Sequence, residues 1–217
     1  MSINQDKNVT KKHNHLILQN PKRLITSIHI SRKAGRVEFD GIDFTSTRNI
    51  RERLEEETLF ITGAHLKASK PKSPELISGI TSCPIVYFQN YICAKEYDIQ
   101  LEKITIEKRS LFTMDGKYCS KILSINVCNR GVLTIINGKF FNAFVKISGN
   151  SALFGSNCGF DSLIASVTDT SIIKNIIVRK EAYVMAEEDG EIDLFVDTEC
   201  YIKPIELGNG RITLIGK

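Results

Sequence analysis

Residues 121–180 read KILSINVCNRGVLTIINGKFFNAFVKISGNSALFGSNCGFDSLIASVTDTSIIKNIIVRK, a succession of short apolar runs broken by Gly, Asn, Ser or Asp. In KILSINV, GVLTII, NAFVKIS and SLIASV alternate positions are apolar, which is the period of a strand, and no helical period survives. The same texture continues outward, through YDIQLEKITI on one side and AYVMAEE, EIDLFV and RITLIG on the other. From about residue 85 onward the chain is therefore predicted to be built of short strands.

The turns between these runs fit two architectures. Asp115-Gly116, Asn137-Gly138, Asp189-Gly190 and Asn209-Gly210 are pairs that suit two-residue hairpins, and hairpins would make an antiparallel β-sandwich. Yet the steps from Gly116 to Gly138 to Gly159, and from Gly190 to Gly210, give a period of roughly 20–22 residues, longer than one hairpin. Such a repeat fits a mainly-β parallel β-helix, a β-solenoid in which Asn and Gly fill the left-handed corners. The β-solenoid is the expected fold, with the antiparallel sandwich as its alternative.

Toward the N-terminus the texture changes. Residues 1–23 are polar and read as a disordered arm. In 24–66, LITSIHI and GRVEFDGIDF alternate as strands, whereas STRNIRERLEEETLF suits a short helix. Ser46 would cap it, Ile50 and Leu54 would share a face, and Arg51 and Glu55 would pair. This strand-plus-helix section is read as a cap on the solenoid. Residues 67–84, with Pro71, Pro74 and Pro84, read as a linker or loop, and 85–217 as the solenoid domain. A fragment 81–217 is expected to fold alone.

At 217 residues and 42% apolar composition the chain can bury a core without metals or disulfides. No run approaches the ~20 apolar residues of a membrane span, and MSINQDKNVTKKHNHLILQNPKR holds no apolar signal-peptide core, so a cytoplasmic location is expected. The net charge of +4 is uneven: residues 1–80 carry 14 Lys/Arg against 9 Asp/Glu, and the remainder 15 against 16. Lys11-Lys12, Lys22-Arg23 and Arg32-Lys33 could meet phosphates, but Phe39, Phe44 and Phe60 are the only aromatics nearby. Nucleic acid and anionic membrane are accordingly disfavoured as partners, and a basic-arm tether is kept as an alternative.

Six cysteines (Cys83, Cys93, Cys119, Cys128, Cys158, Cys200) show no C-x-x-C spacing and mostly sit beside apolar residues, so buried, reduced thiols are expected and no metal. All four histidines precede residue 66. Ser148, Ser151, Ser156, Ser162 and Ser166 therefore cannot form a Ser-His-Asp triad within the solenoid. No phosphate loop, dinucleotide fingerprint or EF-hand is present, and no cofactor is expected.

The most pointed local pattern is acidic. Glu191, Asp193 and Asp197 share a parity along the chain with Glu187, Asp189 and Glu199, opposite to Ile192, Leu194 and Val196. Carboxylates in a row on a rigid strand could hold a cation, meet a basic partner or act on a sugar. They could equally form a solvated face answered by Lys203 and Arg211. The aromatics Phe140, Phe141, Phe144, Phe154 and Phe160 are spaced as a stacked core, although the adjacent Phe140-Phe141 forces one ring outward from any strand.

The segments LSINVCNRGVLTII, FVKISGNSALFG, AYVMAEEDGEIDLFV and CYIKPIELGNGRITLIGK, with Gly149, Asp189-Gly190 and Gly208-Asn209-Gly210 in the turns and Gly216 ending the last strand, carry a resemblance over 122–217. This stretch resembles the auto-transporter adhesin head (GIN-type) domain, a bacterial domain of unknown function. The turn at 187–191 is EEDGE, where that family carries Ser and Gly. The resemblance implies a parallel β-helix and no catalytic residues. The expected function is a non-enzymatic scaffold or recognition module presenting a side-chain face to a protein or glycan, with copies stacking by ends or edges. The alternative is a carbohydrate-active enzyme using the acidic strand.

Overall fold

The computed structural model describes residues 23–31, 34–39, 43–46, 50–63, 91–93 and 97–216. The linker 67–84 and, apart from Arg23, the arm 1–23 lie outside these residues. Among the described residues fifteen strands run in chain order. The first six are β1 (Arg23–Ser31), β2 (Arg36–Phe39), β3 (Asp43–Ser46), β4 (Ile50–Glu55), β5 (Thr58–Gly63) and β6 (Tyr91–Cys93). Next come β7 (Tyr97–Ile106), β8 (Leu111–Asp115), β9 (Cys119–Val127), β10 (Val132–Ile147) and β11 (Ala152–Val167). The last four are β12 (Ile172–Glu188), β13 (Glu191–Val196), β14 (Tyr201–Gly208) and β15 (Arg211–Gly216).

They wind into a parallel β-solenoid of about six turns. Every paired residue of β10 meets its equivalent in β11 at one constant offset, from Val132 with Ala152 to Ile147 with Val167, and that offset is the length of a coil. A parallel ladder cannot be closed by a two-residue hairpin. The Asn-Gly and Asp-Gly pairs accordingly sit at or beside the corners of a coil, not at hairpin tips. Of the predicted glycine spacings, Gly190 and Gly210 are true equivalents, since Glu191 pairs with Arg211. Gly138 pairs instead with Cys158, and Lys139 with Gly159.

The long strands bend at their corners and so contribute to more than one wall. Their first runs join β2, β8, β13 and β15 as one sheet. Their last runs join β1, β7, β9 and β14 as a second. Asn137, Asn157 and Asn175 take left-handed φ values of 59°, 55° and 61° at one corner. Asn is among the few residues that tolerate this, and Asn157 Nδ2 donates to Asn137 Oδ1 at 3.2 Å to link successive coils. The corner between the second and first sheets is lined by Ser110, Gly131, Ser151, Ser171, Gly190 and Gly210, all buried.

The core is a set of rows running along the stack. In the second sheet Ile30, Ile106, Val127, Ile147, Val167 and Ala186 follow one another in register. In the first, Phe112, Leu133, Leu153, Ile173 and Ile192 do the same. Phe140 and Phe160 stack at 5.1 Å inside the short wall between the sheets.

The N-terminal section differs from its prediction in two respects. Residues 50–63 form no helix: β4 and β5 are an antiparallel hairpin turning at Glu56, whose φ is 52°. The outer edge of β1 carries unpaired backbone groups that need a partner, and β5 supplies one while burying Leu59 and Ile61. That tertiary demand outweighs a short helix supported by one capping residue and one side-chain pair. Second, β1 and β2 already form a solenoid coil, pairing in parallel with β7 and β8, so the solenoid begins near residue 23 and not 85. The capping elements proper are β5 with β4 on the edge of β1, and β3 on the edge of β2.

Candidate functional site

An exposed apolar stripe on the second sheet

Parity along each last run sends one set of side chains into the core and the other outward. In the second sheet the inward set is small or aliphatic, including Ala143, Ala165, Ala182 and Ala186. The outward set mixes large apolar residues with polar ones such as Asn142, Ser162 and Ser166. Because successive coils are nearly equal in length, outward residues align in rows: Ser124, Phe144, Ile164, Tyr183 and Lys203 occupy consecutive rungs. Adjacent rows place Ile122 and Tyr201 on one flank and Met185 and Ile205 on the other.

These side chains are open to solvent. Phe144 is 49% exposed, Ile164 47%, Tyr183 40%, Ile122 56% and Tyr201 58%. Tyr183 and Tyr201 pack as tilted rings 6.0 Å apart. Between the rungs runs a shallow groove of about 500 Å³, floored by backbone and lined by Phe144, Ile164, Tyr183, Met185 and Ile205. Monomeric proteins rarely leave a contiguous apolar patch of several hundred Å² uncovered, and such patches mark binding surfaces. The rungs are fixed by ladder hydrogen bonds on both sides, so the stripe is held in place before any partner arrives.

Sequence reasoning did not place a site here. It did anticipate that Phe140 and Phe141 could not both be inside, and Phe140 is buried while Phe141 is exposed beneath Lys121, whose Nζ lies 5.1 Å from the ring centroid. Of the other rings in the predicted stack, Phe160 is buried, Phe154 half-buried and Phe144 exposed. The signal available in the chain was one of size: NAFVKIS and AYVMAEE put Phe144 and Tyr183 out of phase with the smaller Ala143, Val145, Ala182 and Val184.

The acidic residues do not form one face. Glu187 is the next-to-last residue of β12 in the second sheet, and Asp189 sits in the following corner. Glu191 and Asp193 lie on β13 in the first sheet. Asp197 and Glu199 fall in the turn before β14. The shared parity fails because Glu188 takes a φ of 58° and the chain turns from one sheet to the other. Glu191 and Asp193 do point the same way, but both are held by Lys174 of the preceding coil, at 3.0 and 3.3 Å. Their hydrogen bonds hold the ammonium of Lys174 above its usual range, Glu191 contributing most. Asp189 accepts from Asn209 Nδ2 at 3.0 Å, a corner link between coils. Lys203, expected to answer the acids, stands instead in the apolar stripe.

Among the described residues no group of three or more His, Cys, Asp or Glu side chains could hold a metal ion. Cys119, Cys128, Cys158 and Cys200 are free thiols. Cys83 lies outside the described residues, and of Cys93 only the backbone, in β6, is described. The fold and the stripe together define a β-solenoid with an apolar stripe on its outer face. No family model matches the chain, and no curated protein or solved structure matches it either.

Proposed function

We propose that this protein is a non-enzymatic recognition scaffold that docks a protein partner on its second sheet. The observation that carries the reading is the row Phe144, Ile164 and Tyr183, exposed on adjacent rungs of a rigid ladder. Sugar recognition pairs exposed rings with converging polar groups that satisfy hydroxyls. Here polar groups such as Asn142, Ser166 and Glu181 stand in the flanking rows, but the rings themselves are interleaved with Ile164, Met185 and Ile205, an apolar share that favours a protein surface. Aromatic anchors in a patch rimmed by polar and charged groups, here Lys146 and Lys203, have the composition of a protein-binding hot spot.

A photo-crosslinking residue at Tyr183, compared with one at Lys139 on the short wall, tests this in lysate of the native source. Protein adducts should form at position 183, fail at 139, and disappear in an Ile164→Lys background. Equal capture at both positions, or adducts that resist protease and yield to glycan digestion, would overturn the reading.

A further inference from the structure

Resting on the reading of the second sheet as a docking face, we infer that its occupant is a second copy of this chain. The two copies pack sheet to sheet about a two-fold axis that runs along the strands at the level of Ile164. Three observations lead there. The first is area. At roughly 200 Å² per large side chain, the half-exposed residues of the stripe and its flanks offer about 600 Å², approaching the ~800 Å² per partner of a standard interface.

The second is shape. The face is a parallel ladder over five coils, from β9 to β14, with rungs ~4.8 Å apart. Sheets pack face to face with their strands roughly aligned, and another ladder of identical spacing can meet this one. A closed dimer also uses the same patch on both copies, so the patch must complement itself.

The third is what the register puts opposite what. An axis along the strands reverses the order of coils, so Ile164 meets its own counterpart and Phe144 meets Tyr183 of the other copy. In the flanking rows Ile122 then meets Tyr201, and Asn142 meets Glu181. Lys203 falls opposite Ser124, and Lys146 opposite Met185, so no like charges oppose. A two-fold axis along the stack would preserve coil order and set Lys203 against Lys203, a repulsive contact in a surface losing its water. The register therefore selects the reversed arrangement.

Sedimentation of the full chain across a wide concentration series, with Ile164→Lys and Ile164→Cys variants, tests the inference. Wild type should sediment at twice the 24.4 kDa chain mass. Ile164→Lys should sediment at that mass itself and still melt in one cooperative transition, at a temperature that no longer depends on protein concentration. A thiol-to-thiol crosslinker long enough to span faces packed ~10 Å apart should link Ile164→Cys into a covalent dimer, because the axis passes beside that residue, while Lys139→Cys gives no more dimer than wild type. A monomeric wild type overturns the inference, as does a dimer that survives Ile164→Lys and leaves Ile164→Cys unlinked. The photo-crosslinking result separates the two failures. If a monomer still gives Ile164-dependent adducts at position 183, the face serves a different protein. If it gives none, the docking reading itself falls.

Discussion

Cys158 is fully buried where the coil passes from the first sheet to the short wall, and burial pushes its thiol up to about 12. Cys119 is also raised to about 12, by burial first and by the neighbouring Cys158 second. A thiolate is the reactive form, so both cysteines should resist alkylation of the native protein at neutral pH and label only on unfolding. Mass spectrometry after a timed pulse of reagent checks this, and rapid native labelling at either position would contradict it. The same shift links to stability. The folded thiol holds its proton above the ordinary value of 9.0, so its contribution is complete below pH 9.0 and is lost as pH rises toward about 12. Alkaline unfolding of Cys158→Ala should therefore begin from a shallower slope than wild type. Lys174 shows why carboxylates side by side on β13 are not a free acidic face: one ammonium bridges both. Being partly exposed, that bridge is worth no more than ~1 kcal/mol.

Coils stack closely only where their corners are narrow. At Gly190 an added Cβ would lie 2.8 Å from the carbonyl oxygen of Val167 and 2.9 Å from that of Glu187, both backbone atoms that cannot swing aside. Ser171 fills the equivalent place one coil earlier and uses it, its Oγ accepting from the Ser151 N–H at 3.1 Å. Gly190→Ala should lower stability by ~1–3 kcal/mol, the usual range for overpacking, whereas at Gly216 a Cβ would meet nothing within 4 Å and Gly216→Ala should melt like wild type. Equal melting temperatures for the two variants would show that the corner yields. The hairpin of β4 and β5 belongs to the same scale. Arg53 lies over its cross-strand partner Phe60, 4.9 Å from the ring centroid, and pairs with Glu55 at 3.0 Å. Both contacts serve the hairpin, in a segment whose spacing also suited a helix.

For the whole molecule the two ends are unlike. The first coil is covered by β5 and β3, while no described strand pairs with the outer edges of β14 and β15. That end is blunted by other means: Pro204 donates nothing to a ladder, and the Glu206 carboxylate, at the end of the inward row, accepts from the Ile212 N–H at 2.6 Å. The covered end is the one the fold depends on. Removing β1 to β6 would bare Leu101, Ile104, Ile106 and Phe112, which are buried in the intact chain. A fragment 97–217 should therefore aggregate or melt without cooperativity, in place of the independent folding expected for 81–217 from its turns and aromatics. Gel filtration and thermal melts of the fragment beside the full chain decide this, and a soluble fragment with a sharp transition would show the N-terminal coil to be dispensable. What the amino-acid sequence determined by itself is the class of fold. Period-2 alternation and recurrent glycine spacing depend on neighbours along the chain, and they specify strands wound into a repeat. What only the tertiary structure decided is which sides are out and which elements cap. Asn137-Gly138 can close a hairpin or turn a corner, and residues 50–63 can coil or extend, until a parallel neighbour fixes the choice. The apolar face is of that second kind. Phe144, Ile164 and Tyr183 each stand on a different strand, a whole coil apart along the chain, and they become one surface only when successive coils bring them into register.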